Sequence, residues 1–142
     1  MWGGIVILMQ RNLTSFSYCL FSDKQEIIDE LGHSTGQFIT VYGDAVQSRA
    51  NISPATGQSS AEQFGNLENY DKVIVTSDMN CPIDENSVLF IDKSPEYASP
   101  ITISGANNTT RSYSPPVYDY TVLRVAKSLN SVSIAVKKVK VS

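Results

Sequence analysis

The sequence predicts an all-β protein: a small β-barrel or sandwich of about seven short strands, with long loops and little helix. From Met9 onward the apolar residues recur mostly with a period of two rather than 3.6. Glycine, proline and polar clusters separate these runs at short intervals, as turns between strands require. The 142 residues, 42% hydrophobic and 18% charged, suit one globular domain rather than a disordered chain.

Phe16, Tyr18 and Leu20 alternate with Ser15, Ser17 and Cys19, which reads as a half-buried strand. Lys24 to Leu31 fits either a short helix, with Ile27, Ile28 and Leu31 on one face, or the first arm of a hairpin. The hairpin is preferred. Gly32 and Gly36 bracket three polar residues as a tight turn would, and Phe38-Ile39-Thr40-Val41-Tyr42 follows with strong strand propensity. Ala45 to Ile52 is the next strand, ended by Ser53-Pro54.

Residues 54–69 hold only Phe64 and Leu67 as large apolar side chains and read as a long polar loop. Lys72 to Thr76 is a strand, Met79 to Asn86 a turn-rich connection around Pro82, and Val88 to Ile91 a short apolar strand. Residues 94–117 carry four of the six prolines. With the polar tract Ser104 to Ser114 they make 95–116 read as an insertion, to which Ile101-Thr102-Ile103 adds at most a small strand. Tyr118 to Lys127 and Ser131 to Val141 are the clearest strands, a hairpin closed by Ser128-Leu129-Asn130. Val132, Ile134 and Val136 share a face while Val139 and Val141 take the other, so a β-bulge is expected at Lys137-Lys138.

Met1 to Met9 is apolar but lacks the basic n-region and cleavage site of a signal peptide, and is too short to span a membrane. Met9-Gln10-Arg11 reads as a native start. Residues 1–8 are then an N-terminal extension, either upstream translation or an added strand, and 9–142 the single domain. No later run approaches the length of a membrane span, so a soluble product without membrane partners is expected.

Few residues point to chemistry, and no enzyme is expected. Cys19 and Cys81 fit neither a disulfide framework nor a zinc site and read as reduced thiols. His33, the single histidine, lies in a predicted turn without a visible partner. Asp78-Met79-Asn80 and Asp84-Glu85-Asn86 are oxygen-rich, but Pro82 and Ile83 stand where an EF-hand loop needs a ligand and a glycine. The glycines form no phosphate-binding loop, and no serine sits in a nucleophile elbow. The sequence therefore implies no cofactor and no metal.

Charge is the more informative signal. Residues 1–110 carry 5 basic and 13 acidic side chains, residues 111–142 carry 6 and 1. Three readings of the basic hairpin (Arg124, Lys127, Lys137, Lys138, Lys140) stay open. They are protection of a sheet edge, a charge-complementary subunit contact, and direct contact with nucleic acid.

A set of longer matches carries a resemblance. It comprises Arg49-Ala50-Asn51-Ile52-Ser53-Pro54-x-x-Gly57, Phe64-Gly65 and Tyr70-Asp71-Lys72-Val73-Ile74-Val75. Cys81-Pro82-Ile83-Asp84-Glu85-x-Ser87-x-Leu89 and Tyr118-Asp119-Tyr120-x-Val122-x-x-Val125-Ala126-Lys127-Ser128-Leu129-Asn130-Ser131 complete it. Over Met9 to Val141, with 95–116 departing, the chain resembles the small head–tail connector proteins of tailed bacteriophages, the head-closure or stopper group.

The resemblance implies a β-barrel assembled as a ring, commonly a dodecamer, in the virion neck. Such a ring lies below the portal and adaptor and above the tail-completion or tail-tube protein. It closes the exit channel for packaged double-stranded DNA and offers the tail a docking surface. By position, Gln58, Glu62, Gln63 and Phe64 belong to a loop facing the channel or the next subunit. That loop has Glu62 and Glu68 but no Lys or Arg, which suits a gate through which DNA slides. Arg49, Lys137 and Lys138 are the expected subunit-interface residues. Tail completion, a nucleic-acid-binding barrel acting through the basic hairpin, and an extracellular adhesion or decoration domain are the competing readings.

Overall fold

The computed structural model of the protein describes residues 13–54 and 70–139. The first strands are β1 (Leu13–Cys19), β2 (Phe21–Ile28), β3 (Ser34–Tyr42), β4 (Val46–Pro54) and β5 (Lys72–Thr76). There follow β6 (Val88–Phe90), β7 (Ile101–Ser104), β8 (Thr110–Tyr113), β9 (Tyr120–Lys127) and β10 (Val132–Lys138). A 3-10 turn at Ala106–Asn108 joins β7 to β8. Six strands close into an all-antiparallel barrel in the order β1-β4-β5-β10-β9-β6, and β3-β2-β7-β8 form a second sheet.

The second sheet is built from two excursions. The hairpin β2–β3 is spliced between β1 and β4, which are neighbours in the barrel. The hairpin β7–β8 is spliced between β6 and β9, also neighbours. The two excursions meet where Ile27 pairs with Ile103.

Strand alternation fills the barrel. Phe16, Tyr18, Ala50, Ile74, Leu89, Tyr120, Val122, Val132, Ile134 and Val136 turn inward to one core. Ile83, from the connection between β5 and β6, packs into the same core. Burying one such side chain contributes about 1.5–3 kcal/mol, so this set accounts for most of the fold's hydrophobic stabilisation. β1 departs from the expected half-buried strand. Cys19 points out of the barrel yet is buried, because it packs with Val88, Phe90, Tyr42, Ala45 and Tyr118 where the second sheet meets the barrel.

Lys24 to Ile28 is strand, as the hairpin reading expected. The tight turn lies earlier than the glycines imply: Asp29 N–H donates to the His33 carbonyl at 2.9 Å, and Gly32 takes φ +82° inside this turn. Gly36 already belongs to β3, where φ +78° accompanies a register irregularity and the Glu26 carboxylate accepts its N–H at 3.0 Å.

Within 95–116, Ile101–Ser104 pairs with a strand the sequence did not reveal, Thr110–Tyr113, and Ile103 is fully buried. β9 and β10 form the expected hairpin, but the bulge is not at Lys137-Lys138. Ala135 pairs with Arg124 and Val136 with Val122, so the extra residue, Leu123, lies in β9. Val139 had indicated the other position, yet it falls beyond the end of β10. The proposed strand or extension at 1–8 lies outside the described residues.

Candidate functional site

The registers bring several strand ends to one end of the barrel. Leu13 pairs with Asn51, Pro54 with Lys72, Lys72 with Val136, and Lys138 with Tyr120. The described segments begin at Leu13 and Tyr70 and stop at Pro54 and Val139 at that same end.

A polar network ties this end together. Asp71 donates its N–H to the Val136 carbonyl at 2.8 Å, and its carboxylate accepts the Lys138 N–H at 2.7 Å. Asp119 accepts the N–H groups of Ile91 (2.9 Å) and Asp92 (2.8 Å), and its carbonyl accepts that of Val139 at 2.8 Å. Asp92 stands at the centre: the Tyr120 hydroxyl donates to it at 2.9 Å, and Lys72 Nζ and Lys138 Nζ lie 3.5 and 3.6 Å away. Lys72 Nζ also sits 5.9 Å from the centroid of the Tyr120 ring.

Desolvation alone would raise the pKa of Asp92. The Tyr120 hydroxyl and the two ammonium groups outweigh it and hold the carboxyl below its usual range. Burial, then the hydrogen bond to Asp92 and the nearby carboxylates, push the Tyr120 phenol far above the ordinary tyrosine range. At neutral pH the centre is thus a carboxylate accepting from a neutral phenol between two cations. The Asp92 side chain is 42% exposed, so each ion pair contributes only about 0–1 kcal/mol. The network's main effect is geometric: it fixes the strand ends on either side of 55–69.

The sequence-derived candidates fall in different places. Gln58, Glu62, Gln63 and Phe64 lie outside the described residues. Arg49 is exposed on β4 opposite Ser15, and β5 separates its strand from Lys137 and Lys138 on β10. Lys137 is half-buried, and Lys138 is committed to Asp92. The structure therefore does not join Arg49 to the other two.

No local sequence pattern marks Asp71, Asp92, Asp119 and Tyr120 as one network. Each acid precedes or follows a strand and comes from a different part of the chain, so no local spacing connects them. Asp78 and Asp84 shape turns: Asp78 accepts the Asn80 N–H and Asp84 the Asn86 N–H, both at 2.9 Å. Among the described residues no three His, Cys, Asp or Glu side chains gather as metal ligands. No described helix is long and apolar enough to cross a membrane. Compared with protein-family models, with curated proteins and with solved structures, the chain matches none.

Proposed function

We propose that the chain is a structural virion protein. In this reading it forms a ring of twelve copies at the head–tail junction of a tailed bacteriophage, closes the DNA exit channel and offers the tail a docking surface. The portal or adaptor lies above it and the tail-completion or tail-tube protein below; its work is mechanical rather than catalytic.

One observation supports this best. The chain on either side of residues 55–69 is held side by side on a closed barrel, through the Pro54–Lys72 pair and the contacts of Asp71 with Val136 and Lys138. A rigid base flanking a segment that has no Lys or Arg, and that the sequence reads as a long polar loop, suits a gate that must meet DNA without holding it. The resemblance to head-closure proteins, carried by residues on both sides of that loop, supports the same reading.

Electron microscopy of particles assembled after inactivation of the gene tests it. The expected result is separate, intact tails beside heads that have lost their DNA. DNA-filled heads beside unattached tails would transfer the protein to the tail side as a completion protein. Normal infectious particles would overturn the reading.

A further inference from the structure

The hairpin β2–β3 extends from the barrel as an arm. Its residues Asp29 to Phe38 are all exposed, with Leu31 80% and Phe38 65% accessible. The tip is shaped by Asp29, whose carboxylate accepts the N–H groups of Leu31 at 2.9 Å and His33 at 2.7 Å. The arm carries Asp23, Glu26, Asp29 and Glu30 against Lys24 alone. Its outer strand β3 has neither a charge nor a proline, the usual devices that keep an edge strand unpartnered.

The hairpin β9–β10 has the opposite character. It carries Arg124, Lys127, Lys137 and Lys138 with no acid, and Leu129 at its turn is 90% exposed. Lys138 is engaged by Asp92, whereas Arg124 and Lys127 are exposed and make no ion pair among the described residues.

Their placement decides what these two surfaces can do. In the barrel order β10 stands three strands from β1 in either direction, and the arm springs from β1 and β4. Within one copy no ion pair joins the arm to the basic hairpin among the described residues, so their opposite charges are available to a neighbouring copy. Two unlike, complementary surfaces make a heterologous contact, which propagates and closes into a ring if the rotation allows.

We infer that copies of this chain associate head to tail, the acidic β2–β3 arm of one copy lying on the basic β9–β10 hairpin of the next. Glu30 then faces Lys127, with Leu31 packed against the hairpin beside Leu129. This deepens the ring reading and rests on its self-association.

A zero-length carbodiimide cross-link tests the contact. Equal amounts of ordinary and ¹⁵N-labelled full-length chain are mixed at low salt, and mixed-isotope cross-links are mapped by mass spectrometry. The expected link joins Glu30 to Lys127 and weakens several-fold at high salt. Glu30→Lys or Lys127→Glu alone abolishes it, and both substitutions in one chain restore it; both sites are exposed, so the fold is kept. Mixed-isotope links mapping only to other surfaces would overturn the arm contact while leaving self-association intact. No such link up to the solubility limit also overturns the contact, whereas the ring reading stands or falls on the particle micrographs.

Discussion

The backbone N–H of Tyr42 donates to the phenol oxygen of Tyr113 at 3.0 Å. Tyr42 ends β3 in one excursion from the barrel, and Tyr113 ends β8 in the other. Beside this bond Tyr42 also meets Tyr118 edge-on, with ring centroids 6.2 Å apart. One tyrosine backbone thus ties two distant insertions to the chain segment that returns to the barrel. Tyr113→Phe keeps the ring and removes the acceptor. It is expected to lower unfolding free energy by about 1–2 kcal/mol in urea titrations. Unchanged stability would show that the two hairpins do not depend on this bond.

Ile103 measures how far 95–116 is part of the fold. It is fully buried on β7, opposite Ile27. Ile103→Ala should cost about 2–5 kcal/mol, like a barrel-core truncation such as Ile74→Ala. A loss below about 0.5 kcal/mol would class the hairpin as a surface appendage.

Asp92 links stability to acid. Its folded pKa is depressed, so its contribution is present above the unfolded pKa and is lost as pH falls through the folded value. At 42% exposure that contribution is at most about 1 kcal/mol. Asp92→Asn should therefore narrow the gap between stability near neutrality and stability in acid. Equal acid sensitivity in the two proteins would place the responsible carboxylate elsewhere.

Gly36 and Gly43 separate backbone strain from crowding. A Cβ at Gly36 meets nothing within 4 Å, but φ is +78°; at Gly43 the nearest atom is the Leu20 carbonyl oxygen at 3.8 Å, an ordinary contact. Gly36→Ala should destabilise by about 1–2 kcal/mol purely through the left-handed backbone. Gly43→Ala should be close to neutral in the same thermal or urea melts.

The two cysteines report on different regions. Cys19 is buried where the second sheet meets the barrel, and burial followed by the charge of Asp44 pushes its thiol pKa up. Cys81 is half-buried. A thiol reagent should label Cys81 in the folded protein and Cys19 only as the fold opens. Equal labelling rates would mean that the second sheet lifts off the barrel easily.

Much of the fold was legible where one face of a strand is buried and the other wet. The β9–β10 hairpin and β5 announce themselves by apolar runs, and β2–β3 by its turn residues. β8 does not: Thr110–Tyr113 is mostly exposed, so no apolar alternation was imposed on it. The bulge was legible in principle, because Val122 and Val125 both face the core, three residues apart. Val139 points to the other position only because it lies beyond its strand. The Asp92 network left no local trace, since a barrel end gathers strand termini that are distant in sequence.

The position of β10 has a consequence for biosynthesis. It lies between β5 and β9, yet it is the last described strand to leave a ribosome. Until then both of those strands keep an unsatisfied side, and a nascent chain has two adhesive borders with nothing to fill the gap between them. Closure thus waits for the last of these strands. A chain halted before Val132 should be prone to aggregate rather than remain as a smaller folded barrel.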